Sequence, residues 1–524
     1  MLLRSSYFLL ATLLFFSTFL AAQSSLLFNN CYGGSNNESL QKILPTSDSG
    51  FIFAGHTWSS NQQVLGQHGA RDMWVVKCDA AGQIQWQRCL GGSAEEAALC
   101  LFAEDSAFVI GGHAASSNGN VNGHIGDDDF WLVKLRANNT IQWKKCFGGS
   151  YMDQMYDVIP MAVGGYLMAG FTFSNDVDVS GLHGPPATWA DAWVVKIDAQ
   201  RNILWQRSLG GTASDAAYKL IELPGGHIIV AAMSNSSDGD ITQPRGNRDI
   251  WMLKLDEMGN LLQEKNFGGS FDEAPTDMKY TSKNRLLISG YSFSSDGDLS
   301  GNYFNGISNW EDAWVLELDT SFNLLWQKNL GGTHSDIGNS ILETPMGYLL
   351  AAESSSTDFD RSQAFGFKDY WLLQLDTLGN ILWEQSFGGN SNDFPKALAG
   401  DSTGNLLLGG FSTSGNLCGF GNTDLWVLKL DTSLNSTAIF GDLQSSATLS
   451  ALPVPFSEQL TLNFSAAVAI QVIQITDVSG KIVHTMKMPD SKVMSLSTAH
   501  WTPGLYFIRV QHAKGCTTKK VLKY

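Results

Sequence analysis

The sequence predicts an all-β protein in which a seven-bladed β-propeller is followed by a small C-terminal β-sandwich. Two motifs, a Gly-Gly pair and an Asp-x-Trp triplet, each occur seven times along the chain. Four short strand-like runs lie within one repeat, and the composition changes after the last repeat. Units of four antiparallel strands, repeated around a ring, are the architecture of a propeller.

The Gly-Gly pairs set the length of the repeat. They begin at Gly33, Gly91, Gly148, Gly210, Gly268, Gly331 and Gly388, so successive pairs lie 57 to 63 residues apart. The Asp-x-Trp motifs keep the same order and begin at Asp72, Asp129, Asp191, Asp249, Asp312, Asp369 and Asp424. A long fixed period of this kind indicates a propeller or a repeat array. We expect the propeller to span residues 23–441.

The fourth repeat shows the strand pattern of one blade. Its runs cover residues 218–223, 227–233, 251–256 and 261–267. Tight turns rich in Gly and Asn join the first two runs and the last two, and a long polar loop joins the second run to the third. Each run is too short for a typical helix, and the β-branched content between such turns predicts strands and hairpins.

The two ends of the repeat region predict ring closure. Residues 26–30 resemble the fourth strand of a repeat, and residues 425–431 are a third strand that no Gly-Gly pair follows. Each of these strands lacks its hairpin partner, so the two can pair in one mixed blade. Closure of this kind removes the exposed edge that a linear array leaves open. An open solenoid of seven units is the alternative.

The recurring tryptophans are interpreted as core residues. The rings of the Asp-x-Trp motifs, and of Trp86, Trp143, Trp205, Trp326 and Trp383, are large enough to fill the wedge between neighbouring blades. We expect each motif aspartate to accept hydrogen bonds from backbone N–H groups of a turn. Neither set is predicted to be catalytic.

The N-terminus has the form of a secretory signal. Residues 1–22 contain Arg4, an apolar run and small residues near Ala22, which predicts a cleaved signal peptide. A membrane anchor is the alternative, although the run is short for a bilayer span. No later segment is apolar enough to cross a membrane, so we expect no transmembrane segment in the mature chain.

Composition excludes several classes of protein. The chain is 44% hydrophobic and 16% charged, which excludes a disordered chain. Its net charge of −17 argues against a nucleic-acid partner. Of its seven cysteines, Cys31, Cys89 and Cys146 each precede a Gly-Gly pair by two residues and are expected to be buried thiols. Cys89 with Cys100 is the local pairing worth testing.

The loops between the second and third strands carry most of the variation. Three of them contain alternating carboxylates that are candidate calcium ligands: Asp176, Asp178, Asp238, Asp240, Asp296 and Asp298. Alternate carboxylates near a glycine resemble part of a calcium loop. Ordinary solvated turns use the same residue types, so plain turns are the alternative, and calcium is the one possible cofactor.

Aromatic residues in these loops are candidate ligand-binding residues. The two longest loops add Trp189 and Trp310 ahead of the Asp-x-Trp motif, and Trp58 and the Phe365/Phe367 pair lie on corresponding loops. A loop aromatic offers apolar area for stacking at low entropy cost. The alternative is that each ring folds back over its own loop.

The sequence favours binding over catalysis. It contains no GxSxG, HExxH, P-loop or dinucleotide motif, and no catalytic residue can be named. Its polar residues recur equivalently from repeat to repeat, so no unique cluster stands out. We therefore expect a binding or adhesion protein with an extracellular glycan or protein ligand. The alternatives are a polysaccharide lyase or hydrolase on a propeller scaffold, and a purely structural surface-layer component.

A separate module follows a linker at residues 442–452. From residue 453 the chain carries eight Lys or Arg against three acids, whereas the repeats are acidic. That change of sign marks a second domain. Its alternating runs, at 459–464, 468–476, 481–487, 506–511 and 517–522, predict a small antiparallel sandwich.

Residues 453–524 resemble the C-terminal sorting domain of type IX secretion cargo. The resemblance rests on four motifs, in order, that contain Pro453, Pro455, Asp477, Gly480, Pro503, Gly504, Tyr506, Lys519 and Lys520. It implies contact with the type IX secretion machinery and a protein that is secreted or displayed on the outer-membrane surface of a Gram-negative bacterium. An accessory carbohydrate-binding sandwich is the alternative.

Overall fold

The computed structural model describes residues 25–300, 310–431, 449–452, 459–464, 470–477, 482–486, 493–502, 504–512 and 515–523. One compact unit spans Ser24–Ser433 and another includes Leu434–Tyr524. The predicted signal peptide, at residues 1–22, lies outside the described residues. Within those ranges there is no helix of the length and hydropathy that a membrane crossing requires.

The described chain begins with the strand β1 (Ser25–Tyr32), and blades of four antiparallel strands follow. The first blade is β2 (Glu38–Pro45), β3 (Phe51–Thr57), β4 (Asp72–Cys78) and β5 (Ile84–Leu90). The second is β6 (Glu96–Glu104), β7 (Ala107–Ala114), β8 (Asp129–Arg136) and β9 (Ile141–Phe147). The third is β10 (Asp153–Pro160), β11 (Tyr166–Thr172), β12 (Asp191–Ile197) and β13 (Ile203–Leu209).

The later blades repeat this order. The fourth is β14 (Asp215–Glu222), β15 (Ile228–Ser234), β16 (Asp249–Leu255) and β17 (Leu261–Phe267). The fifth is β18 (Glu273–Tyr280), β19 (Arg285–Ser292), β20 (Asp312–Asp319) and β21 (Leu324–Leu330). The sixth is β22 (Asp336–Thr344), β23 (Gly347–Ser354), β24 (Asp369–Leu375) and β25 (Ile381–Phe387). The seventh contains β26 (Asp393–Gly400), β27 (Asn405–Ser412) and β28 (Asp424–Asp431).

The seventh blade closes the ring with the first strand of the chain. Its sheet order is β26, β27, β28 and β1, and β1 pairs antiparallel with β28 from Ser25 opposite Asp431 to Tyr32 opposite Leu425. The first strands of neighbouring blades pack side by side around a central channel. The seven-bladed propeller and its mixed closing blade, both predicted from the repeat ends, are confirmed.

The propeller has two different faces. The Gly-Gly turns between blades lie at one end, and the loops that join second to third strands fold onto them; for example, the Asp178 N–H bonds the Gly148 carbonyl. We call this end the loop face. The short turns that join first to second and third to fourth strands lie at the opposite end, which we call the turn face.

The first glycine of a Gly-Gly pair lies against buried carboxylates, two of them at Gly33, Gly91, Gly148, Gly268 and Gly331. A Cβ atom on Gly268 would collide with Asp249 of the preceding blade and Glu273 of the following one. Glu273 Oε2 accepts a hydrogen bond from the next N–H, that of Gly269, at 2.9 Å. The motif therefore contains glycine because the two carboxylates leave no room for a side chain.

The Asp-x-Trp motifs form the framework that the sequence predicts. All seven indole rings are fully buried: Trp74, Trp131, Trp193, Trp251, Trp314, Trp371 and Trp426. The motif aspartate accepts backbone hydrogen bonds from the loop before it, as Asp72 does from the His68 N–H at 3.0 Å. Asp424 does the same from the Phe420 N–H at 3.0 Å. The core and capping predictions are confirmed for these motifs. Of the other five tryptophans predicted as core, Trp205 is buried, whereas Trp86, Trp143, Trp326 and Trp383 are partly buried and pack against the blade cores.

Each innermost strand contains one bulge. The register skips one residue in every first strand, at Gln41, Leu99, Tyr156, Tyr218, Thr276, Asn339 and Lys396. A bulge bends a strand and re-aims its side chains. The alternation of channel-facing and blade-facing side chains along each first strand therefore shifts by one residue at the bulge.

The cysteines depart from the prediction at one position. Cys31 in β1 forms a disulfide with Cys418, in the loop between β27 and β28. The expectation that Cys31 is a buried thiol is therefore wrong, because its strand lies beside a loop that brings a second sulfur to it. Cys89 and Cys146 are buried free thiols, as predicted, and so are Cys78 and Cys100.

The C-terminal unit contains two antiparallel sheets. One consists of β29 (Leu449–Leu452), β30 (Gln459–Phe464) and β33 (Val493–Ser497). The other consists of β31 (Ile470–Asp477), β32 (Ile482–Met486), β34 (Gly504–His512) and β35 (Gly515–Lys523), in the order β32, β31, β34, β35. Packing of the two sheets as a sandwich stays a prediction. The strand β29 falls within the segment predicted as a linker.

The predicted sorting motifs are only partly within the described residues. Tyr506 is buried in β34, and its hydroxyl donates a hydrogen bond of 2.7 Å to the Thr502 carbonyl. Pro453, Pro455, Gly480 and Pro503 lie outside the described residues. Asp477, Gly504, Lys519 and Lys520 belong to the strands β31, β34 and β35.

Candidate functional site

The framework repeats around the ring, but the side chains at the loop-face mouth of the channel do not. The penultimate residue of the second strand differs in chemistry between blades, and the seven positions are His56, His113, Phe171, Met233, Tyr291, Glu353 and Phe411. The bulge residues of the inner strands also differ. The mouth is therefore the place where repeated architecture presents unique chemistry.

One side of the mouth is an aromatic wall from the third to the fifth blade. The Tyr156 and Tyr218 rings are stacked with their centroids 4.8 Å apart, and Phe171 lies 5.6 Å from Tyr156. Tyr291 and Met233 belong to the same cluster. Burial raises the pKa of Tyr156 and, to about 12, that of Tyr218.

The wall has unused hydrogen-bonding capacity. In the described part of the chain, the hydroxyl groups of Tyr156, Tyr218 and Tyr291 have no hydrogen-bond partner, and all three side chains are partly buried. A phenol offers a flat apolar face and a polar tip. The wall can therefore stack on a flat ligand surface and donate hydrogen bonds to it.

A histidine–arginine cluster lies between the first and second blades. Arg71 Nη2 donates to His113 Nε2 at 3.0 Å, and the guanidinium lies 5.3 Å from the centre of the Trp58 ring. His56 meets the same ring edge-on at 5.1 Å. The candidate ligand-binding residue Trp58 thus belongs to a polar cluster and is partly buried.

Both imidazoles in this cluster are neutral. Burial and, secondly, the nearby Arg71 charge lower the pKa of His56 to about 3. Burial likewise lowers the pKa of His113 to about 4. Since His113 Nε2 accepts from Arg71, the ring proton is assigned to Nδ1. Within the described ranges, Nδ1 of both rings and Arg71 Nε are buried without a partner.

A third group combines an anion, two cations and aromatic rings at the sixth and seventh blades. Glu353 pairs with Lys368 at 2.8 Å and with Lys396 at 3.5 Å. The Lys396 ammonium also lies 6.0 Å from the centre of the Phe394 ring and 5.8 Å from that of Phe411. The mouth therefore contains, beside its aromatic wall, a charged segment with two ammonium groups against one carboxylate.

The exposed tryptophans lie at the edge of this face. Trp189 and Trp310 are 47% and 48% exposed, in loops of the third and fifth blades. One blade separates them in the ring. Phe365 and Phe367, in the sixth blade, are 37% and 72% exposed. Their positions agree with a role in binding, which stays a prediction.

The six candidate calcium ligands hold the loops onto the Gly-Gly turns. Asp176 Oδ1 accepts from the Ser150 N–H at 2.8 Å, and Asp238 Oδ1 does so from the Thr212 N–H at 2.7 Å. The other four are placed equivalently: Asp178 and Asp240 accept from Gly148 and Gly210, and Asp296 and Asp298 accept from Ser270 and Gly268. Among the described residues, no three acidic, His or Cys groups converge as a metal site. Calcium binding stays a prediction.

The expectation that no unique polar cluster exists is wrong. The groups around Arg71, Tyr156 and Glu353 each occur once in the ring. Their residues lie on different blades, far apart in the sequence, and only the closed ring brings them to one mouth. The sequence does contain a signal for these clusters. When the repeats are aligned, the residue type at these positions changes from blade to blade.

The C-terminal residues match a known family. Residues 450–524 match the secretion system C-terminal sorting domain. Together with the fold, this match makes the chain a propeller protein that carries a type IX sorting domain and is secreted or displayed at the cell surface. No curated protein matches the chain in sequence.

Solved structures with similar folds share little sequence with the chain. The Pan2 WD40 domain of Neurospora crassa is 10% identical, with a TM-score of 0.44 over 79% of this chain and 97% of that one. A fungal alcohol oxidase of the AA5 family, in complex with copper, is 12% identical, with a TM-score of 0.41 over 95% and 99%. Sqt1 of Chaetomium thermophilum is 10% identical, with a TM-score of 0.37 over 73% and 83%.

Proposed function

We propose that the protein is an extracellular binding protein that captures a glycan at the loop-face mouth of its propeller. The observation that carries this proposal is the wall formed by Tyr156, Tyr218 and Tyr291: the first two rings are stacked, and all three are partly buried with hydroxyl groups that have no partner among the described residues. Sugars present apolar C–H faces beside hydroxyl groups. A wall of phenols complements both features, because its rings can stack while its hydroxyl groups form hydrogen bonds.

The distribution of exposed apolar side chains supports the choice of face. In the loops and turns of the described chain, the loop face carries Leu65, Ile125, Tyr151, Met152, Val177, Trp189, Phe271, Trp310, Phe359, Phe365 and Phe367. The turn face carries Val163, Met258 and Leu378. Concentration of exposed apolar surface on one face is typical of an interaction surface. The loop tryptophans then form an outer contact zone around the mouth.

The sorting domain supports the place of action. A protein exported by the type IX route acts outside the cell, and we propose the outer-membrane surface of a Gram-negative bacterium or its surroundings. At that location glycans and proteins are the available ligands, and the net charge of −17 disfavours nucleic acid. An extracellular protein is the other class of ligand, and the array described next would detect it through its peptides.

A glycan and peptide array, probed with the full mature chain with and without calcium, tests the proposal. A glycan hit should weaken at least about tenfold in Tyr156→Ala and Tyr218→Ala, since stacking on an aromatic ring and its hydrogen bond are both lost. Tyr218→Phe should retain part of the affinity because it keeps the ring. Met258→Ala on the turn face is the matched control. Equal binding by the variants and wild type would contradict the proposal.

A polysaccharide-acting enzyme is the second candidate, and the histidine–arginine cluster is the observation that favours it. When Arg71 turns to bind an acidic sugar, it releases Nε2 of the neutral His113 ring, which can then accept a proton. Incubation with uronate polysaccharides, followed by ultraviolet detection of unsaturated products, separates the two functions. Turnover that is lost in His113→Gln, with glycan binding retained, would identify the enzyme.

A further inference from the structure

One level of the central channel carries charged groups that change from blade to blade. It consists of the residues that follow the seven inner-strand bulges: Lys42, Cys100, Asp157, Lys219, Asp277, Ser340 and Ala397. We call it the lysine level. It lies further along the inner strands than the mouth, toward the turn face. Its composition differs at nearly every blade, unlike that of the core positions.

Lys42 and Lys219 occupy this level on the first and fourth blades, and two blades separate these in the ring. At the same position of other blades, Asp157 and Asp277 accept hydrogen bonds from the inner strand of the next blade, so side chains at this level face the channel. Repulsion from Lys219 is the largest cause that lowers the pKa of Lys42, which agrees with two ammonium groups near each other in the channel. Lys219 is 9% exposed, so its charge is held in a confined space.

The carboxylates of the lysine level are engaged with other groups. Asp277 accepts from Lys279 at 2.8 Å, from the Ser340 hydroxyl at 2.9 Å and from the Ile341 N–H at 3.1 Å. Asp157 Oδ2 accepts from the Leu220 N–H at 3.0 Å.

Neither channel lysine has a direct ionic partner in the described part of the chain. Asp157 and Asp277 act on Lys42 and Lys219 only from a distance. Counting Lys279, the level holds three ammonium groups against two carboxylates, so it carries one net positive charge. An additional anion would neutralise that charge and weaken the repulsion between the two lysines.

We propose that Lys42 and Lys219 form an anion site inside the channel that binds a phosphate-like oxyanion. Lysine ammonium groups are compact point charges with three donors each, which suits the oxygens of a phosphate group. Two ammonium groups from opposite sides of the channel can donate to different oxygens of one ion. The site is independent of glycan binding at the mouth, so either can fail without the other.

The electrostatics of Lys42 favour binding of an anion beside it. Repulsion from Lys219 and, secondly, burial lower the pKa of Lys42 to about 8, while Asp277 and Asp157 raise it and Lys279 lowers it. Near pH 8 about half of the Lys42 side chains are then neutral amines. A bound oxyanion would favour the charged form, so it should make the amine less reactive.

Calorimetric titration of the full mature chain with inorganic phosphate tests the site. Lys42→Met and Lys219→Met should each weaken binding at least about tenfold, because each removes a charged hydrogen bond. Lys283→Met, at an exposed turn, is the matched control and should bind as wild type does. Phosphate binding that is unchanged in both channel variants would overturn the proposal, as would the absence of binding by the wild type.

A second measurement uses the wild type and does not depend on the folding of variants. Trace acetylation at pH 8, read by mass spectrometry, should modify Lys42 faster than Lys283, and inorganic phosphate or a sugar phosphate should slow it selectively. Protection by both probes identifies a site for the free ion. Protection by the sugar phosphate alone identifies a site for an anionic group of a larger ligand. Protection by neither overturns the proposal.

Discussion

Cys31 and Cys418 are joined by a disulfide bond although 387 positions separate them in the sequence. Cys31 lies in β1, the strand that the start of the chain contributes to the seventh blade, and Cys418 lies in a loop of the same blade. The Cys31 backbone also pairs with that of Trp426 in β28. The ring is therefore closed by a strand pairing and by a covalent bond at the same seam.

Removal of this disulfide should destabilise the whole propeller. A cross-link that closes a long loop restricts the unfolded chain, so the Cys31→Ser/Cys418→Ser double variant should lose about 2–4 kcal/mol of unfolding free energy. Denaturant unfolding under oxidising conditions measures the loss. Reductant should lower the stability of the wild type and leave the double variant unchanged, because Cys78, Cys89 and Cys100 are free. A double variant as stable as the wild type would show that the strand pairing alone closes the ring.

Lys144 interrupts a hydrogen bond that other blades make between the motif tryptophan and the fourth strand. In the third blade the Trp193 indole N–H donates to Gln206 at 2.8 Å, and most other blades have a Gln or Glu at that position. In the second blade the position is Lys144, which offers no acceptor, and the buried Trp131 Nε1 has no partner among the described residues. Lys144→Gln should therefore stabilise the protein by about 1 kcal/mol.

The reciprocal variant is the control for this prediction. Gln206→Lys removes the acceptor of Trp193 and should cost about 1–3 kcal/mol, because a buried donor is left unsatisfied. Chemical denaturation of both variants beside the wild type gives the two free-energy changes. Destabilisation by Lys144→Gln would mean that the lysine contact with the Asn120 carbonyl outweighs the missing indole hydrogen bond.

The buried carboxyl groups should make the protein more stable in mild acid than at neutral pH. Burial raises the pKa of Asp153 to about 7, and those of Asp215, Asp336 and Asp393 to about 6. The native state therefore keeps protons that the unfolded chain loses near pH 4. At these carboxyl groups the native state binds more protons, so unfolding free energy falls as pH rises from about 4 to about 7. His56 and His113 act in the opposite direction because their pKa values are lowered, and we expect the more numerous carboxyl groups to outweigh them.

A single substitution tests the origin of that slope. Asp153→Asn is neutral at every pH and can still accept the Gly149 N–H bond through its carbonyl oxygen. It should flatten the decline between pH 5 and pH 7, measured by urea unfolding at several pH values. Asp105→Asn, at an exposed turn, is the control. A wild type whose stability rises through this range would contradict the assignment.

The first glycine of the Gly-Gly pair should tolerate no side chain. A Cβ on Gly148 would overlap carboxylate oxygens of Asp129 and Asp153. Gly148→Ala should cost about 1–3 kcal/mol through overpacking. Gly415 has open space around its Cβ direction, so Gly415→Ala should change stability by less than about 0.5 kcal/mol. Equal effects of the two substitutions on the thermal midpoint would show that the carboxylates move aside.

Deletion of residues 453–524 tests the sorting assignment. In a host with the type IX machinery, the truncated chain should stay in the periplasm, whereas the full chain should reach the surface or the medium. Immunoblots of cell fractions measure the distribution. The same tail fused to an unrelated fluorescent protein is the positive control. Normal surface display of the truncated chain would contradict the assignment.

The fold could be predicted because its determinants repeat. Seven copies of one glycine pair and one buried tryptophan fix the period, and the unmatched strands at 26–30 and 425–431 predict the closing blade. The disulfide could not be predicted in the same way. Cys418 has no equivalent in other repeats, so periodicity carries no information about it.

The channel mouth and the lysine level were missed for a related physical reason. His113, Tyr218 and Lys42 occupy positions where the residue type differs between repeats, whereas a search for motifs finds positions where it is the same. The inner-strand bulges also change which residues face the channel, so simple alternation along a strand gives the wrong set. A position-by-position comparison of the aligned repeats for variation would have marked the mouth.

Hydroxyl-radical footprinting of the full mature chain, with and without a glycan from the array, tests the account most directly. The account predicts protection of Tyr156, Tyr218 and Tyr291 at the mouth, with Met258 and Leu378 on the turn face unchanged. Protection confined to the turn face or to the outer strands, with the three tyrosines fully reactive in the complex, would contradict it.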